Sequence, residues 1–268
     1  MVNITIGQYY PASSKVHVLD ARLKIIVMLA YITSLFFITN FVGYFAVFLG
    51  VAVVVKVSLV PIKFLLRGIK SIFFIILFTA VLNVLFTYGE DVIFSFWRIV
   101  ITHEGVMFAI KMVIRLTLLV VGSSLLTLTT SSMELTDGIE SLLKPLKKIG
   151  VPAHEIAMMM TIALRFIPTL MEEMDKIVKA QTARGAEFET GGLIKKAKSL
   201  IPILVPLFIS AFRRADDLAL AMEARCYNGD NNRTRMKQLK LCNRDFYAIV
   251  LVTLFLGIVI ATRFVNII

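Results

Sequence analysis

Five long apolar runs, at 25–38, 41–60, 69–87, 106–128 and 246–264, constrain this chain more than any other feature. A hydrocarbon core about 30 Å thick is crossed by roughly 20 apolar residues in helical form, so runs of this length read as membrane spans. A mean hydropathy of +0.83 and 58% hydrophobic residues exclude a soluble reading, because such a domain could not cover that much apolar surface. The expected fold is all-α: a polytopic membrane protein with about five transmembrane helices. The first run is short, and only Asn40 and Gly43 offer a break before the second.

The net charge of +11 suggests nucleic acid at first sight, but its distribution does not. Of 29 Lys and Arg, 18 fall within 131–244, and that segment also holds 13 of the 18 acids. Mixed charge of this kind describes a cytoplasmic segment, not a basic arm. The remaining basic residues sit mainly at span ends: Lys15, Arg22 and Lys24, then Lys56, Lys63, Arg67 and Lys70. Basic loops stay in the cytoplasm. The 87–105 loop, with Glu90, Asp91 and Glu104 against Arg98, fits the outside. The topology then closes with the N-terminus in, four crossings, a large internal segment, a fifth crossing and the C-terminus out. The expected divisions are a membrane part at 1–130, a cytoplasmic domain at 131–244 and a last span at 245–268. No cleavable signal pattern precedes the first span, which serves as the targeting signal itself. Cys226 and Cys242 have no Cys or His at metal-ligand spacing and read as free thiols.

Within 131–244 the sequence predicts three long helices. Ser131-Ser-Met-Glu134 matches a capping box. Its helix should run to about Lys148 and stop at Gly150, with a kink or break at Pro145. The second starts near Pro152, bends at Pro168 and ends at Arg184, where Gly185 can take positive φ. A mobile polar stretch is expected at 186–192. The third begins within 193–198, passes Pro202 and Pro206 and ends at Arg225, and a polar, basic loop at 227–240 leads to the last span. These helices are apolar over more of their surface than aqueous helices tolerate, so they are expected against the inner membrane surface and each other.

One pattern occurs twice here. Asp175, Ala180, Ala183 and Arg184 match Asp216, Ala221, Ala224 and Arg225. Capping accounts for an arginine followed by glycine at a helix end. It does not account for the alanine before each arginine, or for an acid nine positions upstream of both. A small alanine lets a helix end enter a narrow groove, and arginine offers a rigid, permanently charged fork suited to a carboxylate. Ala183, Arg184, Gly185, Ala224, Arg225 and Cys226 are therefore the candidate partner-binding residues. Cys226 stands where the first copy has glycine, so positive φ is not expected there.

The stretch Ser14-Lys-Val-His17-Val-Leu-Asp20-Ala-Arg22-Leu-Lys24 reads by itself as a juxtamembrane segment, with Asp20 near a helix start and Lys24 at the lipid headgroups. Together with Leu164-Arg165-Phe166-Ile167-Pro168, Ala180-Gln181-Thr182-Ala183-Arg184-Gly185 and the second Ala224-Arg225, it resembles the transmembrane coupling (T) component of energy-coupling factor transporters. These are vitamin and micronutrient importers of the ATP-binding-cassette class. The resemblance covers essentially the whole chain and departs at Cys226, where glycine is common. It implies a non-catalytic coupling subunit in a bacterial cell membrane. Two cytoplasmic ATPases would bind it, one at each Ala-Arg helix end, and would hold the ATP and magnesium, leaving no cofactor in this chain. A small membrane-embedded S component would capture the substrate and be toppled across the membrane as the ATPases close.

Absences point the same way. There is no Gly-x-x-x-x-Gly-Lys-Ser/Thr phosphate loop and no His-Glu-x-x-His helix. His17, His103 and His154 are far apart in sequence. A self-contained secondary transporter, the alternative reading, usually shows inverted repeats within its spans, whereas the repeat here lies outside them. An intramembrane enzyme would need clustered acids, bases or metal ligands in the spans. Lys111 and Arg115, one turn apart in the fourth run, are candidates for function by depth, against a structural reading in which they snorkel or face protein. Asn83 reads as an interhelical hydrogen-bonding residue. Met158, Met159, Met160, Met171, Met174 and Met222 read equally as core or as an adaptable sliding surface.

Overall fold

A computed structural model describes residues 9–87, 89, 91–96, 99–186, 192–227, 229 and 242–262. Glu90 and Arg98, residues 187–191 of the polar stretch and most of the 227–240 loop lie outside the described residues. The chain divides into two compact units, Met1–Ile139 with Gln238–Ile268, and Glu140–Lys237.

The first unit is built from α1 (Ala21–Phe37), α2 (Phe41–Ser58), α3 (Ile62–Phe86), α4 (His103–Thr129), the start of α5 (Ser132–Leu143) and, from the chain's far end, α8 (Asn243–Ala261). Four of these, α2, α3, α4 and α8, are long and apolar enough to cross a membrane. At 17 residues, α1 sits at the lower end of spanning length. The all-α polytopic reading holds. Helix starts differ from the apolar runs where capping decides them. Asp20 accepts a hydrogen bond from the Arg22 amide at 2.8 Å, so α1 begins before its apolar run. Pro61 precedes α3, which places Lys63, Arg67 and Lys70 on the helix itself.

Little of this unit is buried. Leu35, Ile38, Tyr44, Val47, Leu118 and Val259 form one core cluster, and Val60, Leu65, Leu125 and Leu128 another. Phe73, Phe74, Phe78 and Phe86 of α3 are exposed. In water so large an apolar surface would drive association. In lipid it costs nothing, because acyl chains are as apolar as the side chains.

Within the expected outer loop the chain forms a hairpin, β1 (Val92–Phe96) antiparallel to β2 (Ile99–Thr102), with Phe96 opposite Ile99. Its β-branched and aromatic residues suit a strand. Thr102 then caps α4 by accepting from the Gly105 amide at 3.2 Å, and its hydroxyl donates to the Thr87 carbonyl at 3.0 Å, tying the hairpin to the end of α3.

Two sequence expectations change here, and one pair of alternatives is decided. Lys24 is not at the headgroups: it is buried, and its ammonium donates to the carbonyls of His17 at 3.1 Å and Thr129 at 3.0 Å. Asn83 bonds within its own helix, donating to the Thr79 carbonyl at 2.8 Å. Lys111 and Arg115 face protein. Arg115 donates from Nε to the Tyr44 hydroxyl at 3.0 Å and from Nη2 to the Ile38 carbonyl at 3.1 Å, while the Lys111 ammonium lies 5.3 Å from the centre of the Phe41 ring. Both cations therefore close the turn between α1 and α2.

The second unit holds the end of α5, a 3₁₀ turn at Lys144–Ile149, α6 (Ala153–Ala183) and α7 (Leu193–Ala224). The Ser131–Glu134 capping box forms: Ser131 Oγ accepts from the Glu134 amide at 3.3 Å, and Glu134 Oε2 from the Ser131 amide at 3.4 Å. The helix expected to reach about Lys148 ends at Leu143, broken at Pro145 into the 3₁₀ turn, and the chain turns at Gly150 as expected, with φ of 90°. Pro168 lies within α6, and Pro202 and Pro206 within α7.

Gly122 tests the packing of the first unit. A Cβ there would overlap the Tyr31 ring, whose hydroxyl donates to the Leu118 carbonyl at 2.8 Å. Gly122→Ala is expected to cost about 1–3 kcal/mol as an overpacked contact. Gly257→Ala, with open space around the site, should cost nothing. Thermal melting in detergent checks both.

Candidate partner-docking helix ends

Both copies of the duplicated pattern end in one backbone motif. At the end of α6, Gly185 donates to the Thr182 carbonyl at 2.9 Å and Ala186 to the Gln181 carbonyl at 3.0 Å. At the end of α7, Cys226 donates to the Glu223 carbonyl at 2.8 Å and Tyr227 to the Met222 carbonyl at 3.0 Å. Each is a Schellman closure, with Arg184 and Arg225 as the matched C-caps. The expectation for Cys226 was wrong: it adopts φ of 56°, against 85° for Gly185. The closure requires a left-handed residue at this position whichever side chain stands there, and cysteine bears a cost that glycine does not.

Ala183, Arg184, Gly185, Ala224, Arg225 and Cys226 are all exposed. Among the described residues, neither arginine has an ion-pair partner. Ala180 and Ala221, one turn before the arginines, are exposed too. Each tip therefore presents a charged fork beside a strip of methyl groups. Asp175 and Asp216 lie nine residues upstream, two and a half turns away, and so point to the other side of their helices.

The relation between the tips follows from two contacts. Met158, near the start of α6, accepts a hydrogen bond at Sδ from the Tyr227 hydroxyl, just past α7, at 3.1 Å. Midway, Arg214 Nη2 donates to Glu173 Oε2 at 3.1 Å. Start meets end and middle meets middle, so α6 and α7 run antiparallel and Arg184 and Arg225 lie at opposite ends of the pair. Glu173 and Arg214 are 41 residues apart, the same offset that relates Arg184 to Arg225. The ion pair thus joins a position to its own counterpart, as a local two-fold axis requires. Each tip lies eleven residues beyond the pair, roughly 16 Å of helix.

A hydrogen bond from the Ser210 hydroxyl, helped by the Arg214 guanidinium, holds Glu173 below the usual carboxylate range against the opposing effect of burial. The sequence reading missed this pair. Extending the repeat two residues upstream of the matched aspartates would have found opposite charges at equivalent positions.

Apolar helices of spanning length and an antiparallel pair with twin exposed arginine ends define an integral membrane transport component. Residues 12–236 match the family model described as cobalt transport protein, CbiQ. The chain is 58% identical over 247 residues, 92% of each chain, to the energy-coupling factor transporter transmembrane protein EcfT of Clostridium kluyveri. To the protein of that name from Thermosediminibacter oceani it is 53% identical over 99% of this chain and all of the other. To that of Lactococcus lactis it is 46% identical, over 93% and 94%. The chain belongs to this family of energy-coupling factor transporter transmembrane proteins, as its motifs implied.

Two outcomes check this geometry. Cys226→Gly should raise stability by about 1 kcal/mol by relieving the left-handed strain, and Cys226→Val should lower it, as read by thermal melting. The Glu173 carboxylate is held low, so its contribution is complete above the ordinary carboxylate range and is lost as pH falls through its lowered value. Spin labels at positions 183 and 224 should report a broadened distance on such acidification, and Glu173→Gln should show that broadening at neutral pH.

Proposed function

We propose that this chain is the non-catalytic energy-coupling subunit of an importer, transmitting the motion of two cytoplasmic ATP-binding-cassette ATPases to a small membrane-embedded S component. The observation that carries this reading is the pair of exposed arginine tips, closed by the same motif and held at opposite ends of one antiparallel helix pair. Two equivalent ends suit two equivalent partners. ATP and magnesium would be bound by those partners and not by this chain, and the S component would select a vitamin or micronutrient.

In this reading Ala183, Arg184 and Gly185 enter one ATPase and Ala224, Arg225 and Cys226 the other. A methyl-lined tip fits a groove, and its guanidinium meets a carboxylate at the groove floor. The rigid α6–α7 pair carries displacement from the tips to the membrane. Residues 131–244 form the coupling domain in the cytoplasm of a bacterial cell, between a membrane part at 1–130 and a last span at 245–268. The N-terminus lies inside and the C-terminus outside, since the basic residues at the span ends favour the cytoplasm.

Arg184→Glu or Arg225→Glu alone should weaken one ATPase contact by about 2–5 kcal/mol, the cost of losing one partner of a desolvated charge pair. The double reversal should abolish co-purification of the ATPases and substrate uptake. Native mass spectrometry of gently extracted membranes reads the first and uptake by whole cells the second. Normal uptake by a well-inserted double variant would refute the reading.

A further inference from the structure

We infer that the 3₁₀ elbow Lys144–Ile149 is a docking surface for anionic phospholipid headgroups. Side chains three apart eclipse one another in a 3₁₀ turn. The six residues therefore form three rows: Lys144 with Lys147, Pro145 with Lys148, and Leu146 with Ile149. The apolar row is flanked on both sides by lysine. It is not covered by the protein, since Ile149 is 82% exposed and Leu146 39%. The turn is locked in this shape: Gly150 donates to the Lys147 carbonyl at 3.1 Å and Val151 to the Leu146 carbonyl at 3.3 Å.

The charge of the elbow fits a membrane surface. No acid occurs from 141 to 154. On the flanks, Glu140 is engaged by His154 Nδ1 at 3.3 Å, and Glu155 is exposed at the first turn of α6. An apolar edge between lysines is the chemistry of an interfacial anchor: the apolar side chains enter the acyl boundary and the ammonium groups meet phosphates. Near an anionic surface each lysine contributes about 1 kcal/mol. Docking there fixes the point from which α6 departs.

The test uses the full chain in vesicles. Cys226 and Cys242 are the two cysteines of the sequence and both are exposed, so an Ile149→Cys variant in a Cys226→Gly/Cys242→Ser background takes a single environment-sensitive nitrobenzoxadiazole label. A Leu146→Cys label serves as the second reporter. In vesicles of phosphatidylglycerol and phosphatidylcholine, the emission should shift to the blue and be quenched by a shallow nitroxide lipid. Each of Lys144→Gln and Lys148→Gln should lower the ratio of inserted to free label about fivefold. Water-like emission in these vesicles would overturn the inference. So would equal protection in pure phosphatidylcholine that ignores the lysine changes. Protection that appears only when partner subunits are added would assign the elbow to a protein and overturn it as well.

Discussion

Buried backbone carbonyls at helix ends cannot be left open, and the first unit of this protein is organised around closing them. Each buried group left unanswered costs several kcal/mol. Arg115 reaches from the middle of α4 to the Ile38 carbonyl at the end of α1. Lys24 reaches the Thr129 carbonyl at the end of α4. Asn40 donates to the Thr262 carbonyl at the end of α8, at 3.3 Å. Each bond ties one helix end to a different helix, so satisfying the backbone and fixing the packing are the same event. Small core clusters suffice because these polar ties set the arrangement.

The N-terminal motif takes its meaning from this. The Ser14 hydroxyl lies 2.6 Å from His17 Nδ1, and His17 Nε2 donates to the Tyr10 carbonyl at 3.0 Å. Because a carbonyl can only accept, Nε2 carries a proton. Asp245 of α8 accepts from the Asp20 amide at 3.0 Å and from the Cys242 amide at 2.8 Å. Ser14, His17, Asp20 and Lys24 thus form a clasp binding the start of α1 to the end of α4 and the start of α8.

The second unit follows a different rule. Its organising contact is an ion pair between repeat-equivalent positions, with the two arginine ends set symmetrically about it. A part-exposed pair of this kind adds little stability by itself. Its value is registry, because a crossing fixed midway places both tips at equal distances. A rod of about 16 Å on each side turns a small rotation at the crossing into a displacement at the tips. The proposed lipid-docked elbow would hold one end of that lever steady.

Much of this was legible in the sequence. The apolar runs determined the class of fold, because hydrocarbon thickness sets span length. The capping box at Ser131 marked where α5 starts and Pro145 where it breaks, because caps and breakers act within a few residues. The duplicated Ala-Arg pattern marked both helix ends. Contacts between segments distant in sequence were not legible. Nothing near Lys24 or Arg115 indicates that each would meet a carbonyl about a hundred or about eighty residues away. Cys226 gave no hint of positive φ, because the closure of the helix imposes that conformation and the side chain does not. The tertiary structure alone decided that the two arginines face opposite ways along one antiparallel pair: a repeat specifies that two ends are alike, and only packing specifies where each one points.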